Sequence, residues 1–233
     1  MSRSAATLAL FLALALPAEA AERPAVVELF TSQGCSSCPP ADALLAELAA
    51  RPGVVALAWH VDYWDHIGWR DRFALPAATA RQQGYRTRLG VRSLYTPQMV
   101  IDGRADVVGS DRGRVAALLA PARDGVAVAL TVAAGEVRAV LPAGSATDLE
   151  VVLLAYLERA ETAVGRGENA GRRLHEANIV RAFIPLGRWD GRPGHLALPL
   201  AALPADADAA AVLLQEPGQG GIQGAATVRL PGR

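Results

Sequence analysis

Residues 25 to 61 read AVVELF-TSQGCSSCPP-ADALLAELAA-RPG-VVALAWHV. The first six are apolar and rich in β-branched side chains, with Glu28 the sole interruption, and so predict a buried strand. Thr31 to Pro40 is turn-rich. Ala41 to Ala50 reads as a helix: Leu44, Leu45 and Leu48 share one face, Asp42 suits the positive first turn, and Arg51-Pro52-Gly53 supplies the stop. Val54 to Val61 predicts a second buried strand. A strand–helix–strand unit of this kind implies parallel strands and a right-handed crossover.

The chain has two cysteines, Cys35 and Cys38. A C-x-x-C between a buried strand and a helix suits thiol–disulfide exchange, in which one thiolate attacks and the other resolves. Helix-terminal amides in such motifs lower the first thiol from about 8.5 to roughly 3.5–7. Cys35 is the expected nucleophile and Cys38 the resolving thiol. A bridge across two residues closes too short a loop to contribute much to folding, which points to redox chemistry or metal binding.

Working outward, Asp62 to Trp69 (DYWDHIGW) is an aromatic loop, and a helix is expected around Ala77 to Tyr85, with Pro76 near its start. Gln98 to Asp102 predicts a short strand, Asp102-Gly103 a hairpin turn, and Ala105 to Val108 the returning strand. Asp111 to Ala120 predicts a final helix. From 121–125 onward the pattern is mainly strands separated by Gly, Pro, Asp and Asn: Val126–Val132, Glu136–Leu141, Leu149–Arg159, Leu174–Phe183, His195–Leu200, Ala211–Gln215 and Ala225–Leu230. That spacing suggests an antiparallel sandwich or barrel.

Residues 25–120 resemble a thioredoxin-fold domain. The segment from Gly90 to Gly103, with Tyr95-Thr96-Pro97-Gln98 at its centre, resembles the thioredoxin stretch that carries a cis-proline facing the cysteines. The resemblance implies that Pro97 is cis and lies beside Cys35. It also implies that the backbone at Thr96 pairs with an extended peptide substrate and that Pro97 keeps stray metals from the thiols. The fold expected is an α/β thioredoxin-like N-terminal domain over residues 22–122, followed by a mainly antiparallel β-sandwich or barrel-like C-terminal domain over 125–233. More narrowly, Glu28-Leu-Phe-Thr-Ser-Gln-Gly-Cys-Ser-Ser-Cys-Pro-Pro-Ala-Asp42, with His60-Val-Asp-Tyr-Trp64, Tyr95-Thr-Pro-Gln98 and Arg166-Gly-Glu-Asn169, resembles an uncharacterised family of exported bacterial proteins. Against thioredoxins, Gly34 precedes the first cysteine where Trp is usual, Gln98 follows Pro97 where Thr is usual, and Pro39-Pro40 follow the second cysteine. Proline suits only the start of a helix, so the helix is expected to start near Pro40 and hold a Cys35 thiolate less firmly.

Thioredoxins carry a buried acid on the strand before the cysteines, and the resemblance gives Glu28 that proton-relay role; the alternative is a strand-edge Glu with its head in solvent. Tyr63 and Trp64 are candidates for a substrate platform or, alternatively, for packing in a core. Cys35, Cys38, His60 and Met99 form a candidate copper site, since thiolate and thioether suit Cu(I); otherwise no cofactor is expected beyond a redox-active Cys35–Cys38 disulfide. Gly165-Arg-Gly-Glu-Asn-Ala170 formally matches a dinucleotide fingerprint, but it opens no helix and reads as a hairpin loop.

Arg3, the apolar run Ala5–Leu16 and the small-x-small Ala18-Glu19-Ala20 predict a signal peptide over residues 1–20. The run is shorter than the about 20 apolar residues of a spanning helix. The mature chain is expected to be soluble and periplasmic or extracellular. With 23 Arg and no Lys against 23 acids, net charge is zero, which offers no basic footprint for nucleic acid. These observations lead to an extracytoplasmic thiol–disulfide oxidoreductase acting on protein or peptide thiols. The alternatives are a binding or assembly protein with an inert disulfide, with the C-terminal half engaging a partner, and a copper chaperone.

Overall fold

The computed structural model describes residues 21–145 and 148–232; the expected signal peptide lies outside them. In chain order the elements are β1 (Ala21–Glu22), β2 (Ala25–Thr31), α1 (Pro39–Ala49), β3 (Val54–His60), α2 (Pro76–Leu89), β4 (Gln98–Ile101), β5 (Ala105–Val108) and α3 (Arg112–Leu119). Then follow β6 (Asp124–Gly125), β7 (Ala129–Ala133), β8 (Glu136–Leu141), β9 (Leu149–Ala163), β10 (Arg173–Trp189), β11 (Gly194–Pro199), a 3-10 turn (Leu200–Ala202), β12 (Ala209–Gln215) and β13 (Ile222–Arg229).

One mixed sheet organises the chain, in the order β13-β12-β9-β10-β3-β2-β4-β5. β2 and β3 run parallel from Ala25↔Val54 to Thr31↔His60, and β4 pairs antiparallel with β2. These central strands are buried on both faces, which is why Glu28 is the sole polar residue of β2 before its last, Thr31. Alternate residues feed separate cores. Val26, Phe30, Leu57 and Trp59 point to the face covered by α2, through Ala78 and Tyr85. Val27, Leu29, Ala56 and Ala58 point to the face covered by α1 and α3, through Leu44, Leu45, Val115 and Leu119. The same alternation continues in β12, where Ala211 and Leu213 join the α2-side core. Its Ala210, Val212 and Leu214 face a third core under the three-stranded sheet β11-β8-β7.

The expected architecture, an α/β thioredoxin-like N-terminal domain followed by a sandwich or barrel, is overturned. The molecule is mostly β, with three α-helices among the described residues, and its eight-stranded sheet is built from both halves of the chain. The join is β10 against β3, parallel at Ile179↔Ala58. Without β10 the edge of β3 would leave buried backbone groups unpaired. Asn178, at φ +48, bends β10 there, and its side-chain amide donates to the Ala56 carbonyl at 2.8 Å. β9 and β10 form a long antiparallel ladder reaching from Trp189↔Leu149 to Arg173↔Ala163. Its far end, the loop 164–172, reaches the segment that follows β2, where Asn169 donates to the Gln33 and Cys35 carbonyls.

Candidate functional site

β2 ends at Thr31, and the chain turns through Ser32, Gln33 and Gly34 into Cys35. Cys35 and Cys38 are joined as a disulfide. Their sulfur-bearing side chains are 0% exposed, whereas Ser36 and Ser37 between them face solvent. α1 begins at Pro39, immediately after Cys38, which is its N-cap. Pro39 and Pro40 have no N–H, and the next two amides, of Ala41 and Asp42, both donate to the Cys38 carbonyl (2.8 and 3.1 Å). The helix head therefore presents no free N–H to a thiolate. What lies beside Cys35 Sγ is the Ser37 hydroxyl, at 3.4 Å.

The Thr96–Pro97 peptide is cis. It lies against the disulfide loop, with Ser37 Oγ donating to the Thr96 carbonyl at 3.5 Å. Trp64 Nε1 donates to Thr96 Oγ1 at 2.9 Å, and Tyr63 OH donates to Gln82 at 3.1 Å. Both aromatic rings are half-buried against the α2-side core. Gly109 fills the tight space beneath: a Cβ there would sit 2.9 Å from Leu29 Cδ1, 3.0 Å from Ala41 Cβ and 3.2 Å from Pro97 Cβ. Since none of these is the free end of a long side chain, Gly109→Ala is expected to lower unfolding stability by about 1–3 kcal/mol, measured by urea denaturation.

Under the disulfide loop, on the α1 face, four ionisable side chains converge. His60, the last residue of β3, shares a 2.7 Å hydrogen bond between Nδ1 and Asp71 Oδ2. Its Nε2 is 3.9 Å from Glu176 Oε1 of β10 and makes no hydrogen bond among the described residues. Gln33 is the hub: its backbone N–H donates to Asp71 (2.8 Å), its amide donates to Glu176 (2.8 Å) and Thr162 (3.0 Å), and it accepts from Trp69 Nε1 (3.0 Å). Asp42, one helical turn after Cys38, accepts from Thr31 Oγ1 at 2.8 Å. One cation and three carboxyls share a site largely shut off from water. The excess negative charge is unfavourable there, and the groups share protons accordingly. Burial pushes the Asp42 carboxyl up to about 7. Burial opposes the His60 proton, but the Asp71 charge and hydrogen bond, aided by Glu176 and Asp42, outweigh it and lift His60 to about 9. For Asp71 the His60 pairing overcomes burial and holds the carboxyl low; Glu176 is raised by burial.

The structure thus brings Cys35, Cys38, Thr96, Pro97 and Trp64 together, with His60 beneath. Met99 packs beside Leu29 in the α1-side core. Glu28 lies elsewhere: on the α2 face it is paired with Arg81 and Tyr85 and is 0% exposed. Sequence reasoning missed Gln33, Asp71 and Glu176, and saw Asp42 only as a first-turn acid. The spacing of Cys38 and Asp42, four residues apart, was the available signal.

Three comparisons bear on this geometry. Residues 26–215 match a family model described as "Protein of unknown function (DUF1223)". No curated protein matches. Among solved structures, the crystal structure of a protein from Agrobacterium tumefaciens is 34% identical, with TM-score 0.76, covering 90% of this chain and 96% of its own. HBP35 of Porphyromonas gingivalis shares the fold at 14% identity and TM-score 0.58, covering 90% and 76%.

Proposed function

The chain belongs to the DUF1223 family of proteins of unknown function, and from that premise we propose that it is an exported thiol–disulfide exchange protein acting on protein dithiols through Cys35 and Cys38. The carrying observation is a disulfide that closes two intervening residues at the head of α1. Such a loop is too short to contribute much to folding, so its place is better accounted for by chemistry. The N-terminal pattern of residues 1–20 supports export, where disulfides persist.

A substrate thiolate attacks Cys35 Sγ. The Cys35–Cys38 bond breaks, a mixed disulfide forms, and Cys38 leaves as a thiolate. With no helix-head amide to stabilise that anion in a buried site, it needs a proton, and Asp42 is the acid one turn away. The second substrate thiolate then attacks the substrate sulfur of the mixed disulfide. Cys35 leaves as a thiolate beside the Ser37 hydroxyl, which supports it. Two electrons pass from the substrate dithiol to the pair. A second protein disulfide re-forms the Cys35–Cys38 bond by the reverse steps.

Burial of both sulfurs favours the second reading, a binding protein whose disulfide is inert. Equilibration of mature protein with glutathione buffers, followed by thiol trapping, separates the two. A reversible transition between about −120 and −270 mV is expected of an exchange protein, and a pair still oxidised well below about −300 mV would mean a structural bridge.

A further inference from the structure

The exchange reading requires a thiolate to reach Cys35 Sγ, yet both sulfurs are 0% exposed. The loop 164–172 between β9 and β10 is bonded to the backbone on both sides of Cys35. Its residues 165–168 and 170–172 are exposed; Val164, where the loop leaves β9, is buried at 2%, and at the loop's tip Asn169 is buried at 0%. Arg172 Nη1 donates to Asn169 Oδ1 at 3.1 Å, which turns both amide hydrogens inward. They go to the Gln33 carbonyl (3.0 Å) and the Cys35 carbonyl (2.9 Å). Next to it, Glu168 Oε2 accepts from the Ser36 backbone N–H at 3.0 Å. On the other side Gly167, at φ +75, seats on Trp69: a Cβ there would lie 3.1 Å from Trp69 Cβ and 3.4 Å from the Ile67 carbonyl. Trp69 in turn holds Gln33. Every hydrogen bond from this loop to the disulfide segment is therefore made by Glu168 or Asn169.

We infer that residues 164–172 are a strap that gates the disulfide, with Asn169 as its pin; this rests on the exchange reading above. The physical character of the contact supports opening. The bonds that Asn169 and Glu168 make to the disulfide segment are polar, and once the loop lifts their donors and acceptors exchange for water at small net cost, as apolar packing would not. The two ends of the loop are held together by the ladder pair Ala163↔Arg173, so the strap lifts without disturbing the sheet. A protein substrate reaches Cys35 only after displacing Asn169 from its carbonyl.

The test is reduction of the mature protein by dithiothreitol over a range of concentrations, followed by thiol trapping. If the strap opens before attack, the wild-type rate levels off as dithiothreitol rises. Two hydrogen bonds hold Asn169 to the segment, each worth roughly a two- to tenfold factor in an opening equilibrium. Asn169→Ala is therefore expected to be reduced about tenfold faster, with the plateau raised or lost. Glu168→Gln, at an exposed position that cannot unfold the chain, is expected to gain about two- to fivefold, and it decides the matter if Asn169→Ala does not fold. Equal rates in both variants and wild type, without a plateau, overturn the strap and leave the exchange reading standing. A pair that resists dithiothreitol in all native chains but yields in denaturant overturns the exchange reading, and the strap with it.

Discussion

Arg81→Ala is expected to lower unfolding stability by about 3–5 kcal/mol, the cost of leaving one member of a buried ion pair alone. Arg81 lies on α2 with its side chain 3% exposed, and Glu28 on β2 is at 0%. The guanidinium donates to both carboxylate oxygens (2.6 and 3.0 Å), to Tyr85 OH (2.9 Å) and to Gln215 Oε1 of β12 (3.0 Å). It also lies over Trp59 at 5.2 Å and Phe183 at 5.6 Å. One side chain therefore ties α2 to β2 and to the far side of the sheet. Its removal strands a carboxylate that no water reaches. At roughly 2–4 °C per kcal/mol for a chain of this size, the midpoint should fall by about 10 °C. Glu28→Leu combined with Arg81→Met should recover much of the loss, because two apolar groups leave no unpaired charge. A loss under about 1 kcal/mol in the single variant would show that the pair does not hold the sheet. Glu28→Gln is the sharper control on chemistry: if it slowed disulfide reduction at unchanged stability, Glu28 would belong to the proton path despite facing α2.

What was legible in the sequence was local. The apolar runs AVVELF and VVALAWHV, the Leu44–Leu45–Leu48 stripe and the Asp102-Gly103 turn each carry their structure within a few residues. Both turn residues have positive φ, 53° and 66°, as that hairpin requires. The sheet join was not legible. Ile179 pairs with Ala58 across about half the chain, and no local pattern marks such a partner. β12 is buried along its whole length, which a sandwich strand with one wet face would not be, but an Ala-rich run reads alike in either setting. The site followed the same rule. Cys35 and Cys38 announce themselves by spacing, whereas Gln33, Asp71 and Glu176 acquire meaning only when β10 docks on β3 and carries Glu176 to His60. Asn169 was visible as part of Arg166-Gly-Glu-Asn169 without any hint of what it holds.

The buried acid cluster should make this protein more stable in mild acid than in mild base, and Asp42→Asn should largely remove the slope between pH 4 and 7. For a carboxyl whose folded value is raised from 3.8 to about 7, the unfolded chain gives up its proton first. The native state is then favoured fully below about pH 4 and progressively less as pH rises to about 7. For His60, raised from 6.5 to about 9, the contribution is complete below pH 6.5 and lost as pH climbs through 9. Both act in the same direction. Asp71, held low by His60, opposes them, losing its contribution only as pH falls through its depressed value. At about 1.4 kcal/mol per pH unit, the rise of Asp42 from 3.8 to about 7 costs the native state on the order of 4 kcal/mol at pH 8. Asparagine still accepts the Thr31 hydrogen bond but carries no charge, so Asp42→Asn should be more stable than wild type at pH 8 by about that amount and nearly equal at pH 4, read from urea midpoints. The same variant should reduce more slowly at pH 6, by about tenfold or more, because the Cys38 thiolate loses its proton source. Stability gained and exchange lost in one substitution would mean that the acid is kept for chemistry at the expense of the fold. Stability gained with exchange untouched would leave Asp42 a burial cost only, with Cys38 protonated from solvent.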